Sequence, residues 1–128
     1  MKKSFYITTP IYYVNDIPHL GHAYTSFVAD TICKYKKLSN YDTYFLTGTD
    51  EHGQKVESSA KEKKIDTQEF TDQVSARFKN LFEKLKLSND DFIRTTQMRH
   101  KNKVKSVWSK LLNNNEIYLD NYEGWYSV

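Results

Sequence analysis

The sequence predicts an α/β domain built on a parallel sheet. Short β-prone apolar runs occur at residues 4–9, 43–46 and 92–93, and segments with helical periodicity separate them. Strand, helix and strand in succession imply a parallel pair joined by a right-handed crossover.

Residues 4–9 make the first strand, and Pro10 to Pro18 is an extended loop held by its two prolines and the turn-prone Asn15-Asp16. From His19 the apolar positions Leu20, Ala23, Tyr24, Phe27, Val28, Ile32 and Tyr35 fall three and four apart, one face of a helix ending near Ser39-Asn40. Cys33 on this helix reads as a small, partly buried packing residue. Thr43 to Leu46, bounded by Asn40 and Gly48, is the second strand. A polar helix runs from Gly53 toward Lys64, and another starts at Thr67, with an N-cap in Thr67-Gln68-Glu69-Phe70 and a stripe of Phe70, Val74, Phe78, Leu81 and Leu85. Phe92-Ile93 is a third strand. Met98 to Leu112 is a helix with Val104, Val107, Trp108 and Leu111 inward, stopped by Asn113-Asn114-Asn115, and Ile117 to Val128 looks β-like. Three core strands before the Asn run are fewer than an open doubly wound sheet ordinarily has, so the fold is expected to be incomplete within this chain.

Composition sets wide bounds. The 128 residues include 38% hydrophobic and 27% charged side chains, ten Tyr and seven Phe, which is globular composition rather than disorder or membrane. A net charge of +3 permits an anionic partner without demanding one. The lysine clusters read as solvated helix faces; only Arg99 to Lys110 is dense enough to suggest contact with an RNA backbone, and nothing points to DNA. The apolar start breaks at Thr8-Thr9-Pro10 before a signal peptide could form, and no segment approaches membrane-spanning length. The single cysteine, Cys33, excludes an internal disulfide and a Cys-rich zinc knuckle within these residues, so a reducing, cytoplasmic setting is expected.

Two motifs carry chemistry: Pro18-His19-Leu20-Gly21-His22 after the first strand, and Thr47-Gly48-Thr49-Asp50-Glu51-His52-Gly53 after the second. Parallel sheets bind ligands beyond the carboxyl ends of their strands, where both motifs lie. A nucleotide laid across the helix opening at His19 would set its phosphates near free backbone amides, with His19 and His22 as donors to charge developing at phosphorus. Three plainer readings compete. The histidines could be solvent-side helix residues, and Asp50, Glu51 and His52 could cap the following helix, with Thr49 or Asp50 at the N-cap. His19, His22, Asp50 and His52 could also hold a metal, although the His-Glu-x-x-His spacing is missing and no cysteine assists.

The residues Thr8-Thr9-Pro10-Ile11-Tyr12-Tyr13-Val14-Asn15, His19-Leu20-Gly21-His22, Thr47 through Gly53, Phe92-Ile93-Arg94-Thr95-Thr96 and Tyr122-Glu123-Gly124-Trp125-Tyr126-Ser127 resemble, in order and spacing, the N-terminal part of methionyl-tRNA synthetases. The resemblance implies the first half of the Rossmann-like parallel sheet of class I aminoacyl-tRNA synthetases. Residues 1–115 would be the first half of the catalytic domain, and 116–128 the start of its connective insertion. It further implies ATP-dependent activation of methionine to methionyl-adenylate and transfer to tRNA(Met), with ATP and Mg2+ as the cofactors. His19 and His22 would be catalytic; Pro10, His19, Gly21 and His22 would bind ATP; Ile11, Tyr13, Asp50 and His52 would bind methionine. No metal ligand, zinc included, is expected in this segment. The family's Lys-Met-Ser-Lys-Ser loop and anticodon-binding domain have no counterpart in these residues, so the segment alone is expected to be inactive. Two other readings stay open: a non-catalytic ATP- or tRNA-binding remnant, and a small nucleotidyltransferase using the same His-x-Gly-His.

Overall fold

A nine-residue strand, β3 (Asp42–Asp50), carries the sheet in the computed structural model, which describes residues 2–125. Around it in chain order lie β1 (Ser4–Thr8), β2 (Tyr12–Tyr13), α1 (Leu20–Leu38), α2 (Gln54–Glu62), α3 (Thr67–Lys84), β4 (Asp91–Arg94) and α4 (Met98–Asn113). Every pairing with β3 is parallel: β1 from Ser4↔Asp42 to Thr8↔Leu46, β2 at Tyr12↔Thr49 and Tyr13↔Asp50, β4 from Leu46↔Asp91 to Thr49↔Arg94. Leu46 pairs with both β1 and β4, so these occupy opposite edges of β3. The α/β parallel architecture is as the sequence predicts.

The extended loop is not wholly loop, because β2 interrupts it and continues the ladder past the end of β1. Likewise β3 does not stop at Leu46 but runs through Thr47-Gly48-Thr49-Asp50. Gly48 permits this, since a Cβ there would overlap the Ile93 carbonyl of β4. The cap of α2 is Gly53 in a left-handed conformation (φ 131°), with no side-chain cap, rather than Thr49 or Asp50. For α3 the N-cap falls one residue earlier than read, at Asp66, whose Oδ1 accepts from the amides of Gln68 (2.8 Å) and Glu69 (3.1 Å).

Residues 1–97 form one compact unit and 98–128 another. In the first, one core cluster joins Tyr12 and Val14 to Val56 and Ala60 of α2 and to Phe70, Val74, Phe78 and Phe82 of α3. A smaller one joins Ala29 and Cys33 of α1 to Phe45, with Ile7 beside it. The stripe on α3 is therefore buried much as its period predicts. That of α1 is not. Tyr24, Phe27, Val28, Ile32 and Tyr35 are exposed, and the buried residues are Ser26, Ala29, Asp30 and Cys33. Helix α1 packs on β3 through small residues, Ala29 and Cys33, which meet Phe45, and Asp30 ties the turn before β4 to α1 by accepting from the Ser88 amide (2.7 Å) and hydroxyl (2.6 Å).

In the second unit α4 has the predicted extent, but none of its residues is buried, and Val104, Val107, Trp108 and Leu111 stay exposed rather than inward. Residues 117–125 form no strand; a lone β-prone run has no ladder to join among the described residues. Tyr126, Ser127 and Val128 lie outside the described residues.

Candidate active site

The two histidines begin as a helix cap. His19 is the N-cap of α1, extended in backbone, and its Nδ1 accepts from the Gly21 amide at 3.1 Å, while the His19 amide donates to Nδ1 of His22 at 3.1 Å. This is a reciprocal capping box in which imidazoles take the parts usually played by Ser and Glu. Both Nδ1 atoms being acceptors, the proton of each neutral ring rests on Nε2, so each ring offers one N–H donor. The His19 ring also lies over Gly21, where a Cβ would come within 3.0 Å of Cε1. The amides of Gly21, His22 and Ala23 are all engaged by His19, so an anion at this helix end meets imidazole edges rather than the free amides expected from the sequence.

A wall of aromatic rings fixes His22. Its ring meets Tyr12 edge-on at 4.8 Å and Phe78 at 5.0 Å, and Tyr12 stacks on Phe78 at 5.5 Å. The Tyr12 hydroxyl reaches Ser26 Oγ at 2.9 Å, which explains a buried serine on α1. Burial against these rings, reinforced by the His19 imidazole 3.8 Å away, holds the His22 pKa below the usual histidine value.

Pro10, Ile11, Tyr13, His19 and His22 line one cleft of about 480 Å³, together with Tyr12, Asn15, Asp16 and Ile17. Asp50 does not line it, but it is the register partner of Tyr13, so strand pleating sets these two side chains on one face while Tyr12 and Thr49 face the core. Ile11, Tyr13 and His52 are exposed, and Gly21 lines a separate apolar hollow on the outer face of α1. Among the described residues no group of three or more His, Cys, Asp or Glu is gathered to hold a metal ion.

Behind Asp50 lies a buried ionic cluster. Glu51 is held by Arg94 at 2.6 Å (Nε to Oε1) and 2.8 Å (Nη2 to Oε2), by Thr49 Oγ1 at 2.7 Å and by the Thr96 hydroxyl. Burial acts most strongly on Glu51 and raises its pKa, but the Arg94, Thr96 and Thr49 hydrogen bonds and the Arg94 charge together outweigh it and hold the carboxyl below the usual glutamate value.

A model of the family described as tRNA synthetases class I (M) matches residues 5–128. The chain belongs to the methionyl-tRNA synthetase family. It is 59% identical over all 128 residues to a methionine–tRNA ligase of Rickettsia bellii, of which it covers 25%, and 54% identical over 127 residues to that of Listeria monocytogenes, of which it covers 19%. A solved Mycobacterium tuberculosis methionyl-tRNA synthetase in complex with methionyl-adenylate superposes with a TM-score of 0.93 at 45% identity, over 98% of this chain and 25% of that one. The chain thus spans about a quarter of the length of the Rickettsia relative.

For a methionyl-tRNA synthetase fold the sequence reading overlooked Tyr12, Ser26 and Phe78, which hold His22, and the Glu51–Arg94–Thr96 cluster. One signal was available for the latter: only three of nineteen basic residues are arginines (77, 94 and 99), so an Arg at the end of a strand marks a place where lysine does not serve.

Proposed function

We propose that this chain contributes the first part of a site that joins methionine to ATP and then passes the methionyl group to tRNA(Met). In the first step a methionine carboxylate oxygen bonds to the α-phosphorus of ATP while the bond from that phosphorus to the bridging oxygen breaks, releasing pyrophosphate. A carboxylate with a pKa of about 3.5 is already ionised at neutral pH, so no general base is required. His19 and His22, with Pro10 and Gly21, receive the nucleotide, entering as its Mg2+ complex, and their Nε2–H groups face the charge that grows on the phosphoryl oxygens. Asp50 accepts the α-ammonium of methionine; Ile11 and Tyr13 line the thioether's pocket, with His52 nearby. In the second step a ribose hydroxyl at the tRNA terminus attacks the methionyl carbonyl and AMP departs. Residues 1–115 then belong to the catalytic nucleotide fold and 116–128 to the opening of the connective insertion.

The observation that carries this reading is the pairing of a two-histidine helix cap with the Tyr13–Asp50 register at the carboxyl end of one sheet. Methionine-dependent exchange of pyrophosphate into ATP by the protein as its gene encodes it is the expected result, lost on His22→Ala. Exchange supported equally by leucine, or exchange untouched by His22→Ala, sinks the assignment.

A further inference from the structure

The Glu51 side chain is wholly enclosed, and each of its carboxylate oxygens already takes two donors, so it has no capacity left for a ligand. The same cluster immobilises the backbone on both sides of Asp50. The Glu51 amide donates to Thr95 Oγ1 at 2.9 Å, and the Thr95 amide donates to the Thr49 carbonyl at 3.2 Å. Beyond these, Thr49 Oγ1 lies 3.1 Å from Ser75 Oγ on α3, and Arg94 also pairs with Asp72 of the same helix. Residues 49–51 are thereby fastened to 94–96 and to α3. A buried ion pair is a poor way to gain stability, because desolvation of both charges offsets their attraction and an apolar pair of similar volume would serve as well. What such a pair does confer is geometry: the planar guanidinium fork fixes the carboxylate in distance and direction at once.

We infer that Glu51 and Arg94 are positioning residues for the ammonium group of methionine, holding the Thr49–Glu51 backbone so that the Asp50 carboxylate stands where that group docks. This rests on Asp50 being the ammonium acceptor. Its distinctive consequence is selectivity: loosening the clamp harms recognition of methionine and leaves recognition of ATP, which meets the histidines of α1, largely intact.

The test is pyrophosphate exchange by the protein as its gene encodes it, with KM for methionine and for ATP measured separately, alongside the thermal unfolding midpoint. Glu51→Gln and Arg94→Lys are expected to raise KM for methionine by roughly ten- to a hundredfold, a misplacement effect, with KM for ATP changed by less than about threefold. Thr96→Val, which removes one of the four donors and is the variant most certain to fold, is expected to shift KM for methionine several-fold in the same direction. Val74→Ala, a core change in α3 that removes none of the hydrogen bonds to Glu51, serves as the comparison and lowers the midpoint without a selective change in KM. Parallel rises in both KM values, or a lowered midpoint with both unchanged as in Val74→Ala, overturn the inference and leave the proposed function standing. An unsubstituted protein with no methionine-dependent exchange removes the function itself.

Discussion

Helices α1 and α3 have similar length and similar apolar periodicity, yet they turn opposite kinds of residue inward. Phe70, Val74, Phe78 and Phe82 of α3 fill the larger core, as a hydrophobic stripe should. On α1 the aromatic and aliphatic stripe stays exposed, with Tyr24 at 70% and Phe27 at 44%, while Ser26, Asp30 and Cys33 are below 5%. Periodicity reveals that a helix has two faces; it does not reveal which one the rest of the described chain covers. On α1 that choice follows the polar partners, with Ser26 meeting Tyr12 and Asp30 meeting Ser88.

The contrast can be broken most sharply at Phe78. It is fully buried and touches both Tyr12 and His22, so Phe78→Ala should cost about 3–5 kcal/mol in urea unfolding, with loss of exchange activity as His22 loses its wall. A cost near that of a surface change would mean α3 is not the structural partner of the site. Asp30→Ala should cost less, about 1–3 kcal/mol, because it removes two hydrogen bonds from Ser88 to a charged carboxylate. If the exposed stripe of α1 instead governed its docking, Asp30→Ala would be neutral.

Acid tests the polar contacts further. Burial raises the pKa of both Glu51 and Asp30, but their hydrogen bonds (to Arg94, Thr96 and Thr49, and to Lys34 and Ser88 respectively) dominate and leave both below the usual carboxylate values. The unfolded chain then takes up protons first. The stability these groups supply is complete above an ordinary carboxylate pKa of about 4 and drains away as pH falls through the lower folded values. Unfolding free energy measured between pH 6 and 3 should therefore drop less steeply for Asp30→Asn than for the unsubstituted protein; an unchanged slope contradicts the shift. The smallest effect belongs to Tyr24→Ser, within about 0.5 kcal/mol by the same urea titration, since its side chain is mostly in solvent. A loss several times larger would show that the apolar face of α1 is covered.

Element order, the parallel sheet and the His-x-Gly-His helix start were legible in the sequence because each has a local cause: β-prone runs, helical spacing, a proline before a histidine. What escaped depends on contacts distant along the chain. The extension of β3 through Gly48 requires the backbone of Ile93, forty-five positions on, to press against it. Two-residue β2 is too short for any alternation to announce it. Glu51 looked like a helix-capping acid because its true partners, Arg94 and Thr96, lie more than forty residues away. The exposed stripe of α4 was misread for the same reason as that of α1, since an apolar period names a face and no more.

The cap made by His19 and His22 ties acid chemistry to helix architecture. Nδ1 of His22 is the atom that would take up a proton as pH falls, and it is also the atom that receives the His19 amide. Protonation therefore gives the ring a positive charge and in the same event breaks the bond that closes the first turn of α1. A conventional Ser–Glu box holds no imidazole, so its opening would leave the charge on any histidine unchanged. Here the two are linked: the proton that charges His22 also opens the cap, so hydrogen exchange at the His19 amide should report the charge on His22.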